Sequence, residues 1–176
     1  MTRKRVVQIA KMAVVLGLIL ATTSCGLILG AIIPSEFGFS GSMAEISNVY
    51  LFNNGAVGSG YDLRLVFTGS GLSVDADGFY VGSGDYLAID VISDESDLSM
   101  DTYTYVAGGT STGDMSFAEI GEILDGAFDG PYYNATSGGI DVRRPLIGST
   151  TTIVLNIDTP NGTIEGQFRG EIQTRQ

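Results

Sequence analysis

Residues 151–172 read TTIVLNIDTPNGTIEGQFRGEI, and this stretch decides the fold. Ile153, Leu155 and Ile157 alternate with Thr152, Val154 and Asn156. Ile164, Phe168 and Ile172 then share a face with Gly166 and Gly170, opposite Glu165, Gln167, Arg169 and Glu171. Period two is the repeat of a strand, because successive side chains point to opposite faces. Between the runs lies Thr159-Pro160-Asn161-Gly162, in which Pro presets φ and Asn-Gly accepts positive φ. The stretch predicts a hairpin with one apolar and one polar face, as antiparallel sheets have.

The same period recurs upstream. Tyr61, Leu63, Leu65 and Phe67 alternate with Asp62, Arg64, Val66 and Thr68, and Leu87, Ile89 and Val91 with Ala88, Asp90 and Ile92. Further candidate strands are Ile46–Phe52, Leu72–Asp75, Thr102–Ala107 and Gly139–Arg143, each bounded by Gly, Asn, Asp, Ser or Pro. One segment, Ser116–Leu124 (SFAEIGEIL), has helical character, with Ser116 and Glu119 spaced as in a capping box. Gly121 in its middle leaves an irregular strand equally open. The expectation is one all-β domain over residues 43–176, an antiparallel β-sandwich of about eight strands, with a closed lipocalin-like barrel as the alternative.

The first 33 residues read as an address rather than as fold. Arg3-Lys4-Arg5 precedes the apolar run Met12–Ala21, which ends in Thr22-Thr23-Ser24-Cys25. A basic segment, an apolar core and a Cys behind small residues form the layout of a bacterial lipoprotein signal, so Cys25 is the expected lipidation site. Thr22 stands where such signals usually carry Leu. Met12–Ile33 is also long enough, without a charge, to serve as an uncleaved span. Either route exports the body across the inner membrane, because the basic residues before the run hold the N-terminus in the cytoplasm. Residues 34–42 are expected to be a tether.

Composition removes several chemistries. The chain has no His, which excludes the Ser-His-Asp triad and His-ligated zinc, and its single Cys cannot close an internal disulfide. Residues 34–176 hold five Arg, no Lys and all twenty acids, a net of −15. Such a field repels phosphate backbones, so no nucleic-acid partner is expected. No cofactor is implied, and what remains for catalysis is carboxylate, Tyr, Ser/Thr and Arg chemistry.

Four motifs compete for a role. Val57–Leu63 (VGSGYDL) and Val81–Leu87 (VGSGDYL) repeat a Gly-Ser-Gly opener. A phosphate cradle needs a helix after the glycines; both openers lead into alternating strands, so they read as strand-entry turns. Asp75-Ala76-Asp77-Gly78 begins like a calcium loop, with Asp94, Glu95, Asp97 and Asp101 further on. The twelfth position from Asp75 is Tyr86, not the Glu of an EF-hand. Hairpin closure and a solvated loop are the preferred readings, and calcium at Asp75/Asp77 or Asp94/Asp97 stays open. Tyr103, Tyr105, Tyr132 and Tyr133 suit a sugar platform as well as ordinary strand composition. With twenty acids, some pair at glycosidase spacing is expected by chance. Asn134-Ala135-Thr136 and Asn161-Gly162-Thr163 read as turns.

The order of GSGDYLAIDV (82–91), TYTYV (102–106), SGGIDVRR (137–144), TTIVLNI (151–157) and NGTIEGQFRGEI (161–172) resembles small cell-envelope lipoprotein domains of bacterial surfaces, notably in Bacteroidota. Asp101 stands where their second motif has Gly. The resemblance spans Val57–Ile172 and implies an all-β, extracytoplasmic lipoprotein with no catalytic residues to carry over. The expected function is a non-enzymatic, membrane-anchored β-domain for binding a protein or carbohydrate ligand or for surface interaction. A lipocalin-like carrier of a small apolar ligand is the alternative, and a carboxylate-based hydrolase the minor one.

Overall fold

The computed structural model describes residues 35–144 and 150–175. They form fourteen strands in chain order: β1 (Glu36–Phe39), β2 (Ser42–Glu45), β3 (Asn48–Val57), β4 (Gly60–Thr68), β5 (Leu72–Val74), β6 (Tyr80–Gly82), β7 (Gly84–Ser93), β8 (Thr102–Tyr105), β9 (Asp114–Leu124), β10 (Ala127–Asn134), β11 (Ser137–Arg143), β12 (Thr151–Thr159), β13 (Gly162–Gly170) and β14 (Gln173–Arg175). The all-β class expected from the alternation is the class observed, with no helix among the described residues. In the quoted stretch Ile153, Leu155, Ile157, Ile164 and Phe168 are buried and Asn156, Glu165, Arg169 and Glu171 exposed, as read, whereas Gln167 and Ile172 are half-buried.

Twelve strands form one sheet in the order β14-β3-β4-β7-β9-β8-β11-β12-β13-β1-β2, with β10 on β9 outside that path; β5 and β6 make a separate hairpin. The sheet is mixed, not purely antiparallel: β14 runs parallel to β3, and β8 to β9. It also curls. Phe67 on β4 and Phe168 on β13 are six strands apart in that order, yet their rings meet edge to face at 6.4 Å. In a flat sheet at 4.8 Å per strand they would be ~29 Å apart. Two short links agree: Ile46-Ser47 and Glu171-Ile172 each carry the chain from the β2–β1–β13 end of the sheet to the β3–β14 end.

Curling gives the sheet an inner and an outer face, each with its own core. The inner core holds Leu63, Leu65, Phe67, Leu87, Ile89, Val91, Tyr103, Ile153, Leu155, Ile164 and others, almost all without solvent exposure. On the outer face the β5–β6 hairpin lays Leu72, Val74 and Tyr80 over Tyr50, Val66, Tyr86 and Ala88. This second layer explains why β4 and β7 are buried on both sides, which one-sided alternation does not foresee.

The structure decides one open reading, corrects one expectation and adds one strand. Of the helix and the irregular strand left open for Ser116–Leu124, the segment takes the strand, within β9: Ser116 is an extra residue in a bulge opposite Asp90–Val91. The bulge puts Met115 and Ala118 on the same face three residues apart, a spacing that imitates a helical turn. Residues 36–39 and 42–45, within and just beyond the expected tether of residues 34–42, are the paired strands β1 and β2. Strand β10 was not foreseen, because Gly130 and Pro131 interrupt its alternation in a second irregularity.

Candidate functional site

Two hairpins flank an opening of the inner core. In each, a two-residue turn with positive φ at both positions joins the strands: Ser40 and Gly41 between β1 and β2, Asp125 and Gly126 between β9 and β10. Turns of this handedness match the twist of the flanking strands. The β1–β2 hairpin aims Phe37 and Phe39 inward, with Ala44 and Ser42 opposite them in register. Inner-face positions of β9 and β10 bring Ile120, with Tyr133 opposite it. The Phe39 and Tyr133 rings meet at 5.2 Å, tilted by 44°, and join the two hairpins at the base.

Above this contact lies an open cleft of about 290 Å³. Its floor is Phe37, Phe39, Ile120 and Tyr133, with Ser42 and Ala44 at its side. Its rim is acidic. Glu122 on β9 pairs in register with Asp85 on β7 and with Asp129 on β10. Residues opposite each other in an antiparallel ladder share a face with Cβ atoms ~5 Å apart, so three carboxylates stand abreast across three strands. All three are exposed. The ion pairs among the described residues, Arg64–Asp90, Arg143–Asp141 and Arg144–Asp97, leave them out.

The residues singled out in the sequence lie elsewhere, with one exception. Asp75 closes the β5–β6 turn, its Oδ1 accepting the N–H groups of Asp77 (3.0 Å) and Phe79 (2.9 Å). Asp97 Oδ1 accepts the N–H of Leu98, and Asp101 Oδ1 that of Thr102. Among the described residues no three Asp, Glu, His or Cys side chains are grouped to hold a metal ion. Tyr103 is a core residue whose hydroxyl meets Ser99 Oγ at 3.0 Å, so the four tyrosines form no common platform; Tyr133 alone of them reaches the cleft. Both Gly-Ser-Gly openers begin strands, β4 at Gly60 and β7 at Gly84. A Cβ on Gly60 would collide with the Ser93 carbonyl oxygen, and one on Gly82 with that of Gly71, so backbone approach requires these glycines. Cys25 and the apolar run lie outside the described residues, among which no helix is long and apolar enough to cross a membrane.

The outer face carries the strongest electrostatic perturbations. Arg64 forms a two-pronged pair with Asp90, Nε at 2.7 Å and Nη2 at 2.8 Å, and lies 5.9 Å from the centre of Phe117. The Tyr86 hydroxyl donates to Glu119 Oε1 at 2.5 Å. Burial first, and that bond second, push the Tyr86 phenol well above its usual range. Burial also pushes Tyr80 up to about 12. These tyrosines and Phe128 pack together at 5.1–5.9 Å between ring centres.

The acid row and the hairpins that carry it were missed in the sequence. Asp125-Gly126 is itself a turn signal of the Asp-Gly kind and marks the β9–β10 hairpin. The alignment of Asp85, Glu122 and Asp129 has no local signal, since it depends on the register of three strands. Comparison with protein-family models, with curated proteins and with solved structures finds no match to this chain.

Proposed function

We propose that the chain is a non-enzymatic, membrane-anchored β-domain of the bacterial cell envelope that binds its ligand in the cleft between the β1–β2 and β9–β10 hairpins. One observation carries the binding site: an apolar floor, solvent-accessible beside two hairpins, under a rim of carboxylates without partners among the described residues. Apolar surface left open with a few convergent polar groups is the usual form of a binding site. The basic segment, apolar run and Cys25 support export and lipid anchoring.

In this reading the curled sheet is a β-sandwich rather than a closed lipocalin-like barrel. The contact of Phe67 with Phe168 supports two facing halves with side chains filling the space between them. That filled interior also favours binding at the cleft over carriage of an apolar ligand in a lumen. A carboxylate hydrolase is the second reading, favoured by Glu122 standing between two acids in a cleft, at a spacing of the order glycosidases use.

The test is labelling of Ser42→Cys, at an exposed cleft position, with a membrane-impermeant maleimide in bacterial spheroplasts. Label on residue 42, reduced by saturating 4-phenylbutanol in the purified full chain, is the expected result. No label contradicts export; label indifferent to 4-phenylbutanol contradicts the cleft. Release of reducing sugar from a glycan panel, lost in Glu122→Gln, would favour the hydrolase.

A further inference from the structure

The chain enters the described body at Ser35, and several turns gather on the rim around that point. The Ser35 carbonyl accepts the N–H of Ile46 at 2.7 Å, and the next residue, Ser47, donates to the Thr68 carbonyl at 2.8 Å. The line continues through Leu72 N–H to Gly69 (3.2 Å), Ser83 N–H to Gly71 (3.0 Å) and Gly126 N–H to Gly82 (2.9 Å). Entry point, β4–β5 turn, β6–β7 turn and β9–β10 turn therefore lie on one rim, where β4 stops and β7 starts.

The part of that rim built by β6 and the β9–β10 turn is apolar and open to solvent. Val81 is 53 %, Leu124 51 % and Phe128 65 % exposed, with Phe79 at 69 % just before β6. Phe128 rests on Tyr80 and Tyr86, at 5.9 and 5.7 Å between ring centres, so its ring is held in place while staying exposed. A single exposed apolar residue is ordinary; four large ones on an adjoining strand and turn form a patch that marks an interaction surface.

The length of chain before Ser35 identifies what covers the patch. The uncharged run Met12–Ile33 ends two residues before Ser35, and two residues reach at most ~7 Å. An anchor formed by that run therefore sets the rim at the depth of the lipid headgroups. Under a lipid on Cys25 the same follows, because Leu27–Ile33 carry no charge and favour the interface themselves. The charges at the rim are Glu36, Glu45, Asp85 and Asp125, with Arg169 beside Ser35, an acidic balance that an anionic surface repels.

Resting on the membrane-anchored reading above, we propose that Val81, Leu124 and Phe128 dip into a zwitterionic lipid surface and fix the orientation of the anchored body. The partner is the bilayer that holds the N-terminus, met a second time by the folded domain.

The chain contains no Trp, so one introduced Trp is a unique fluorescent reporter. Full chains carrying Phe128→Trp, Val81→Trp or Met100→Trp are placed in phosphatidylcholine nanodiscs with plain or brominated acyl chains, since bromine quenches Trp only at close range. Met100 is the control: it is 63 % exposed, but it follows Ser99, whose hydroxyl meets that of Ser93 at 2.9 Å. Ser93 ends β7 about 30 Å from the rim. Brominated lipid is expected to lower the emission of Phe128→Trp and Val81→Trp about twofold and to leave Met100→Trp unchanged. Replacing a third of the lipid with phosphatidylglycerol at low salt is expected to weaken the quenching. Full emission from both reporters, with the chain still eluting with the discs, overturns the docking and leaves the anchor standing. A chain that leaves the discs overturns the anchored reading and this inference with it. Equal quenching of Met100→Trp overturns the assigned face, and quenching strengthened by phosphatidylglycerol overturns the zwitterionic surface.

Discussion

Glu122 on β9 stands directly across the antiparallel ladder from Asp85 on β7, so two carboxylates share one face at neighbour spacing. Asp129 meets Glu122 from the other side. Like charges directly opposite each other in a ladder destabilise it. Neutralising the middle member is therefore expected to stabilise the free protein. Glu122→Gln should gain ~0.5 kcal/mol at low salt, read from urea midpoints. The gain should shrink at 1 M salt, where screening acts within a few ångströms. A loss of stability in Glu122→Gln would mean that the carboxylate is satisfied in the free state.

The contact of Phe67 with Phe168 joins the two halves of the curled sheet. Either ring replaced by Ala should cost ~3–5 kcal/mol, because each is buried and leaves a cavity. In the double variant the costs should fall short of additivity by about 1 kcal/mol, the worth of an edge-to-face pair. Additive losses would contradict a direct contact across the core.

Tyr80 gives an alkaline signature. Its phenol is raised to about 12 by burial, so the folded state holds its proton where the unfolded chain has released it. A raised folded pKa contributes stability that is complete below about pH 10 and is lost as pH rises toward 12. Tyr80→Phe should therefore track wild type at neutral pH and resist unfolding better between pH 10 and 12. Parallel pH profiles of the thermal midpoint would contradict the burial of that hydroxyl.

Anchoring is tested at Cys25. Growth with labelled palmitate should label the wild type, and Cys25→Ala should lose both the label and the mass of the lipid. Unchanged membrane association with no adduct in either protein would favour the uncleaved span of Met12–Ile33.

The fold class was legible because alternation is local: Ile153, Leu155 and Ile157 point inward wherever their partners lie. What was not legible is non-local. The bulge at Ser116 breaks the period of β9, and in β10 Gly130–Tyr132 oppose the single Gly121 of β9. The burial of Val66 on the outer face depends on the β5–β6 hairpin, whose Leu72 and Tyr80 lie six and fourteen positions along the chain. The cleft follows the same rule. Asp85, Glu122 and Asp129 are three ordinary surface acids until the register of β7, β9 and β10 sets them side by side.

The measurement that bears most directly on the cleft is the aromatic spectrum of the full chain, labelled with ¹³C-phenylalanine, during titration with 4-phenylbutanol, which needs no charge to bind. A saturable shift of Phe39, with Phe52 and Phe67 unmoved, is the expected result, since Phe39 alone of the three lines the cleft. A stationary Phe39, or all three rings moving together, would contradict the cleft as the binding site.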